Sequence, residues 1–281
     1  MKAKLLGKNV TEKIISDCKI ECENIKQKGI IPTLAVMRVG NNKSDISYEK
    51  NIIKLMDKAG ISVKSIILDQ NVSKDSFTEK LQELNKDENV NSILIFRPLP
   101  SHINEDKIKY IIDPKKDIDC FSPLNLAKVF ISDESGFYPC TPLGVMEMLD
   151  YYKIELTGKN VVIVGRSLVV GKPLSMMLLD RHATVTICHS KTDNLQKICK
   201  KADILIVAIG RGNMIDKNYI KEGATVIDVG INFIDGKMTG DVSIDSALEV
   251  TEMITPVPGG VGGVTTACLI KNVLKSCKNT H

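Results

Sequence analysis

Two stretches of this chain carry residue types spaced for chemistry. The first is VVIVGRSLVVGKP (Val161–Pro173), a run of β-branched residues that ends at Gly165 and leads through a loop to Gly171. A strand, glycine loop and helix in that order let backbone pass close to a phosphate. They then offer it the open N–H groups and positive dipole end of the helix. The glycines are not spaced as G-x-G-x-x-G, so by spacing alone a tight turn with no ligand fits too. The next strand tip reads His189-Ser190-Lys191-Thr192. Sheets that bind NAD place a carboxylate there for the ribose hydroxyls. Arg166, Ser190 and Lys191 instead suit a 2′-phosphate, which favours NADP over NAD, while Asp193 pulls the other way.

The second stretch is YEKNIIKLMDKAGI (Tyr48–Ile61), an amphipathic helix that ends at Gly60. Tyr48 and Ile52 lie one turn apart and share a face. Further on, KDIDCF (Lys116–Phe121) puts Asp117 and Asp119 on one side if it is extended. Such a pair is usually a turn or a cap, but Asp119 is also suited to a two-pronged contact with an aminopyrimidine ring. TPVPGGVGG (Thr255–Gly263) holds more glycine than a plain linker needs and suggests backbone close to a ligand.

The elements that position these residues alternate. Helical periodicity covers Val10–Lys28. TLAVMRVG (Thr33–Gly40) reads as a buried strand, followed by a helix over Asp45–Ala59 and a strand at Val63–Asp69. Ser73 opens another helix, and VNSILIF (Val90–Phe96) is a strand broken by RPLPSHI. SDESGFYPCTP (Ser132–Pro142) reads as a linker. A helix follows it, then strands at Val161–Gly165, Thr184–Ser190, Asp203–Gly210 and Thr225–Gly230, with a last helix over Val264–Cys277. This predicts an α/β fold of two α/β domains with mostly parallel sheets. The expected division is 1–138, completed by a C-terminal helix over 264–281, and 139–263.

Composition narrows the classes. A net charge of +4 with acidic and basic residues spread along the chain gives no case for nucleic acid or an acidic membrane surface. The N-terminal apolar run is too short for a signal peptide and no stretch approaches a membrane span, so a cytoplasmic protein is expected. Eight cysteines without a C-x-x-C read as small packed hydrophobes rather than as metal ligands or disulfides.

Taken together, PCTPLGV (Pro139–Val145), GRSLVVGKP (Gly165–Pro173), ATVTICHSKT (Ala183–Thr192), GATVIDVGIN (Gly223–Asn232), GDV (Gly240–Val242) and TPVPGGVG (Thr255–Gly262) resemble the bifunctional methylenetetrahydrofolate dehydrogenase/methenyltetrahydrofolate cyclohydrolase family. The likeness is collinear over nearly the whole chain. It implies an N-terminal folate-site domain, a C-terminal Rossmann-type NADP domain, a substrate cleft between them and a last helix that returns to the first domain. It further implies a homodimer formed through the NADP domain, and tetrahydrofolate derivatives of one-carbon metabolism as partners. Gly165, Arg166, Ser167, Ser190 and Ile231 match NADP-binding positions. Tyr48 matches the Tyr that packs against the folate, Asp119 the Asp that recognises its pterin-like ring, and Pro258, Gly259 and Gly260 the loop over the substrate.

The likeness fails at telling places. The family pattern is Tyr, three residues, Lys; Ile52 stands where that Lys falls. The Gln of Gln-Leu-Pro-Leu-Pro is Phe96, the Ser three residues before the Tyr is Asp45, and the Gly after Asp119 is Cys120. Later, Gly-Pro-Met-Thr reads Gly262-Gly263-Val264-Thr265. Lys and Gln are a hydrogen-bonded pair in the family. Losing one alone strands a polar group at a cost of about 1–3 kcal/mol, and losing both removes that problem. Lys50 and Lys54 lie roughly 160° and 120° off the Tyr48 face at about 100° per residue. Strand alternation points Arg97 away from Phe96's side, unless the chain twists out at the prolines. Hydride transfer asks mainly for positioning, whereas hydrolysis asks for a tuned acid or base. The expectation is a dehydrogenase with weak or absent cyclohydrolase activity. The rivals are persistence of both activities with Arg97 or a water chain substituting, a non-catalytic folate or nucleotide binder, and another Rossmann dehydrogenase of the shikimate type.

Overall fold

The computed structural model describes residues 3–280. In chain order the elements are β1 (Ala3–Lys4), α1 (Gly7–Gln27), β2 (Thr33–Val39), α2 (Lys43–Lys58), β3 (Ser62–Leu68), α3 (Lys74–Lys86), β4 (Ser92–Ile95), α4 (Glu105–Ile108), α5 (Pro123–Phe130) and α6 (Cys140–Tyr151). There follow β5 (Asn160–Val164), α7 (Gly171–Asp180), β6 (Thr184–Cys188), α8 (Leu195–Cys199), β7 (Ile204–Val207), β8 (Thr225–Asp228), β9 (Asn232–Ile234), β10 (Lys237–Thr239), α9 (Ile244–Ala247), β11 (Met253–Ile254) and α10 (Val261–Thr280).

The chain forms two compact units. One holds Lys13–Cys140 and the residues from Thr266 on. Its sheet has the order β3-β2-β4, all parallel. β2 is central and buried almost throughout, as a strand covered on both faces must be. α2 starts where the Asn42 side chain accepts the Ser44 N–H, and it ends before Gly60, whose φ of +79° few other residues adopt. α3 starts the same way at Ser73. The C-terminal part of α10 is tied in by polar contacts: Asn272 Nδ2 donates to the Ile118 carbonyl at 2.7 Å, and Ser276 Oγ donates to that of Lys115 at 2.8 Å.

The other unit holds the residues up to Glu12 and Thr141–Thr265. Its six strands lie in the order β1-β11-β8-β7-β5-β6, all parallel. β5 sits between β6, which follows it in sequence, and β7, where the winding reverses. That is the switch point at which open parallel sheets of this kind place ligands. β9 and β10 form a separate antiparallel hairpin.

Two details depart from the sequence expectation. Residues 3–12 belong to the unit expected to start at 139, because β1 pairs with β11 and the Gly7 N–H donates to the Gly259 carbonyl. α10 begins at Val261 rather than Val264: Gly262 and Gly263 lie in its first turn and not in a loop before it.

β2 and α2 are joined by a buried ion pair. Arg38 Nε donates to Glu49 Oε2 at 2.5 Å, each side chain is about 6% exposed, and the guanidinium also donates to the Gly40 carbonyl. Glu49 follows Tyr48, so this pair fixes the helix that carries the tyrosine. Removing one partner leaves a buried charge alone, which costs on the order of 3–5 kcal/mol, whereas an apolar pair of similar volume does not. Glu49→Ala is therefore expected to lower the chemical denaturation midpoint of this unit sharply, and the double change Arg38→Met with Glu49→Leu to recover most of the loss.

Candidate active site

α2 presents Tyr48 with about 39% of its surface exposed and, one turn on, Ile52 with none. The Tyr48 ring packs on Phe96 with centroids 5.3 Å apart and a 37° tilt. Phe96 follows the last residue of β4 and is itself buried. Ile52 and Phe96 are thus both enclosed apolar groups. Lys50 and Lys54 are exposed on α2. Tyr48 is hydrogen-bonded to Thr266 of α10, and burial of its hydroxyl raises its pKa, with Asp119 and Cys140 adding to the effect.

Asp117 and Asp119, paired in sequence, divide the work. Asp117 is buried and accepts from the Phe121 N–H at 2.9 Å, the Ser122 N–H at 2.7 Å and Asn125 Nδ2 at 2.9 Å. It is a structural brace. Asp119 accepts from the Cys140 N–H at 3.1 Å through Oδ1, and its Oδ2 lies 3.8 Å from Arg97 Nη2. Burial raises its pKa, while the Cys140 N–H and the Arg97 charge oppose the rise.

Arg97 takes the exception that the sequence left open at the prolines. β4 ends at Ile95, so the period of two no longer governs residue 97. Its guanidinium lies 4.5 Å from the centroid of the Phe121 ring and beside Asp119. Cys120, where the family has Gly, keeps a left-handed backbone with φ of 57°. The turn has the shape a glycine would give it, although a side chain is present.

In the other unit, the loop after β5 fits a dinucleotide phosphate. A Cβ on Gly165 would stand 2.3 Å from the Ala208 carbonyl oxygen, and one on Gly171 2.1 Å from that of Gly165. Neither position has room for a side chain, so strand, loop and helix approach at backbone distance. α7 starts at Gly171 with no side chain capping its N–H groups, and Arg166, Ser167, Ser190 and Lys191 are exposed beside the strand ends. His189 accepts the Lys191 N–H through Nδ1 and shapes the turn. Ile231 is exposed, with its Cδ1 3.6 Å from the position of a Cβ on Gly262. Pro258 and Gly259 are exposed and Gly260 is buried. A Cβ on Gly7 would come 2.0 Å from the Gly260 carbonyl oxygen. A Cβ on Gly260 itself would stand 2.5 Å from the Pro256 carbonyl oxygen, so that glycine answers to the fold of its own turn.

The sheet edge that carries these loops is held by two buried carboxylates. Asp241 accepts from the N–H groups of Ile209, Gly210 and Arg211 at 2.7, 3.0 and 2.7 Å and from Asn232 Nδ2 at 2.9 Å. Asp228 accepts from Gly230, Asp241 and Val242 at 3.0, 3.0 and 2.9 Å. Burial pushes Asp228 up to about 6; these N–H groups pull it down and the Asp241 charge pushes it up.

Comparison with known proteins agrees with this geometry. Residues 5–119 match the tetrahydrofolate dehydrogenase/cyclohydrolase catalytic domain, and residues 139–281 match the NAD(P)-binding domain of the same proteins. The chain belongs to the tetrahydrofolate dehydrogenase/cyclohydrolase family. It is 50% identical over 273 residues to the bifunctional protein FolD of Clostridioides difficile (strain 630), with 97% of this chain and 95% of that one covered. Among solved structures, the bifunctional FolD enzyme of Campylobacter jejuni is similar with a TM-score of 0.97, 42% identity and 99% of each chain covered. The Trypanosoma brucei FolD, solved in complex with NADP and an inhibitor, has a TM-score of 0.93 and 33% identity, covering 99% of this chain and 97% of that one.

Within the family pattern, sequence reasoning missed the contacts of Arg97 with Asp119 and Phe121 and the bracing by Asp228 and Asp241. The two acids were visible only as parts of the GATVIDVGIN and GDV segments; nothing local says that their carboxylates face a row of backbone N–H groups. The titration of Asp228 has a definite sign. Asp228 rises from 3.8 to about 6 on folding, so between those values the folded state binds more protons than the unfolded state and stability falls as pH rises. The share of this group is on the order of 3 kcal/mol at about 1.4 kcal/mol per pH unit. Denaturation of the wild type across pH 4 to 6 is expected to show that slope, and Asp228→Asn, though less stable overall, to show a shallower one.

Proposed function

We propose that this chain is an NADP-dependent methylenetetrahydrofolate dehydrogenase, oxidising 5,10-methylenetetrahydrofolate to the methenyl form, with weak or absent cyclohydrolase activity. The observation that carries the second half is the enclosed apolar pair Ile52 and Phe96, standing where the family has Lys and Gln. Bound NADP supplies the hydride acceptor. The folate nitrogen stabilises the cation that develops as hydride leaves, so the protein's task in this step is alignment. Tyr48 offers an aromatic face for the folate, and Asp119 a carboxylate for the donors of its pyrimidine ring. The loop after β5 takes the pyrophosphate on the open N–H groups of α7, with Arg166, Ser167, Ser190 and Lys191 placed for the 2′-phosphate side. Pro258, Gly259 and Gly260 border the substrate and Ile231 the cofactor.

Hydrolysis of the methenyl product needs a group that takes and returns a proton near neutral pH. No lysine of α2 meets that need: Lys50 and Lys54 are exposed, and Ile52 occupies the family position. Arg97 brings a cation close to Asp119, but a guanidinium holds its proton throughout this range and does not act as a base. We place the dimer contact in the nucleotide-binding unit. The β9–β10 hairpin supports this by exposing Phe233, Ile234 and Met238 together. Eight buried cysteines suit a reducing cytoplasm.

Purified protein given methylenetetrahydrofolate and NADP is expected to form NADPH while the methenyl product accumulates. Supplied methenyltetrahydrofolate should decay no faster than in buffer alone. Enzyme-dependent decay at a rate comparable with reduction would overturn the assignment. Ile52→Lys with Phe96→Gln is expected to raise hydrolysis tenfold or more. Gly171→Ala, which forces a Cβ onto the Gly165 carbonyl, should weaken NADP binding at least tenfold by direct titration and leave folate binding unchanged.

A further inference from the structure

We propose that Arg97 is a specificity-determining residue for the folate ring, donating to its 4-oxo group while Asp119 takes the neighbouring ring donors. This deepens the folate-site reading above and rests on it. A 2-amino-4-oxo pyrimidine presents three groups along one edge: an amine donor, the N3–H donor and the O4 acceptor. A carboxylate matches the first two. Left by itself it leaves the third without a donor, and an acceptor that loses water without gaining a partner costs binding. The structure puts a donor beside the carboxylate. Arg97 Nη2 stands 3.8 Å from Asp119 Oδ2, outside hydrogen-bond range, so the guanidinium has N–H groups to give. The Phe121 ring, its centroid 4.5 Å from the guanidinium carbon, gives the cation an aromatic face to rest on. Asp119 Oδ1 is anchored by the Cys140 N–H, which leaves Oδ2 on the Arg97 side.

The surroundings explain why a cation is tolerated here. Arg97 and Asp119 are 23% and 29% exposed, so each keeps some water and each offsets the other's charge. A lysine at Ile52 would have added a second positive charge to the same unit. With Ile52 buried and apolar, position 52 brings no second cation, and Asp119 and Arg97 stand side by side at the recognition edge.

The test is discrimination at the 4-position. Tetrahydrofolate and its 4-amino-4-deoxy counterpart differ at this edge: O4 is replaced by a donor facing Arg97, and N3 loses its hydrogen. Dissociation constants for both would be measured by calorimetry on the wild type, Arg97→Leu and Arg97→Lys, with NADP affinity as the check on folding. The wild type is expected to favour the 4-oxo ligand by 10- to 1,000-fold. Arg97→Leu should cut that ratio about tenfold, the remainder belonging to Asp119 and N3. It should also raise KM for methylenetetrahydrofolate about tenfold with kcat changed less than threefold. Arg97→Lys should recover part of the ratio. A purely structural role would weaken both ligands equally and leave the ratio untouched, and that result overturns the inference while the folate site stands. Failure of the wild type to bind either pteridine overturns the folate reading itself.

Discussion

Asp241 has no exposed surface and carries a carboxylate, and it is accommodated because four donors converge on it. A polar group that leaves water must find partners, and the penalty for an unpaired charge exceeds what most single contacts return. In the nucleotide-binding unit this requirement shapes the C-terminal edge of the sheet. Three successive N–H groups after β7 point to one carboxylate. The backbone after β8 points to the other, where Gly240 lets the chain pass Asp228 with no room for a side chain. The loop after β5 lies beside this braced edge, because β5 and β7 are hydrogen-bonded neighbours. The loop proposed to hold the phosphate thus stands beside an edge shaped by two acids.

The same requirement governs the exchange of polar for apolar groups in the other unit. Lys and Gln in a partly enclosed position satisfy each other. Ile52 and Phe96 need no partner, and each is buried with the aromatic surface of Tyr48 beside Phe96. The two arrangements are both consistent, whereas a lysine facing Phe96, or a glutamine facing Ile52, would leave one group without its mate. This is why the two departures read as one change. It also bears on the two reactions differently: alignment for hydride transfer asks for position, and hydrolysis asks for a group that moves protons.

Much of this was legible in the chain itself. Buried β-branched runs ending in glycine marked β2, β5, β7 and β8, and Ser73 starts its helix by the expected capping bond, whereas the Asn42 cap, which starts α2 two residues before the expected Asp45, was not foreseen. Periodicity placed Tyr48 and Ile52 on one face and Lys50 and Lys54 off it. What stayed hidden was tertiary. β1 and β11 are two residues each, too short for any pattern, and they exist because they pair with each other and with β8. The β9–β10 hairpin turns at Asp235-Gly236 inside a run that alternation does not mark. Alternation alone left two directions open for Arg97, and the exception at the prolines is the one realised, because β4 ends at Ile95.

Asp117 shows how a residue with no chemistry of its own can decide where chemistry happens. It draws in the N–H groups of Phe121 and Ser122, so the chain must reverse just after Asp119. The residue at the reversal is Cys120, held at φ of 57°, a conformation that costs a side-chain-bearing residue about 1–2 kcal/mol. Such a cost persists only where the surroundings over-determine the backbone. Here they do so from both sides, through Asp117 on the far strand of the turn and through the Cys140 N–H on Asp119 itself. Phe121 is fixed by the same bonds, and Phe121 is the ring on which Arg97 rests. One buried carboxylate therefore sets the place of both the anion and the cation at the proposed recognition edge. The loss of the family glycine at position 120 leaves that edge intact because the turn is imposed by its hydrogen bonds and not by the freedom of the residue within it.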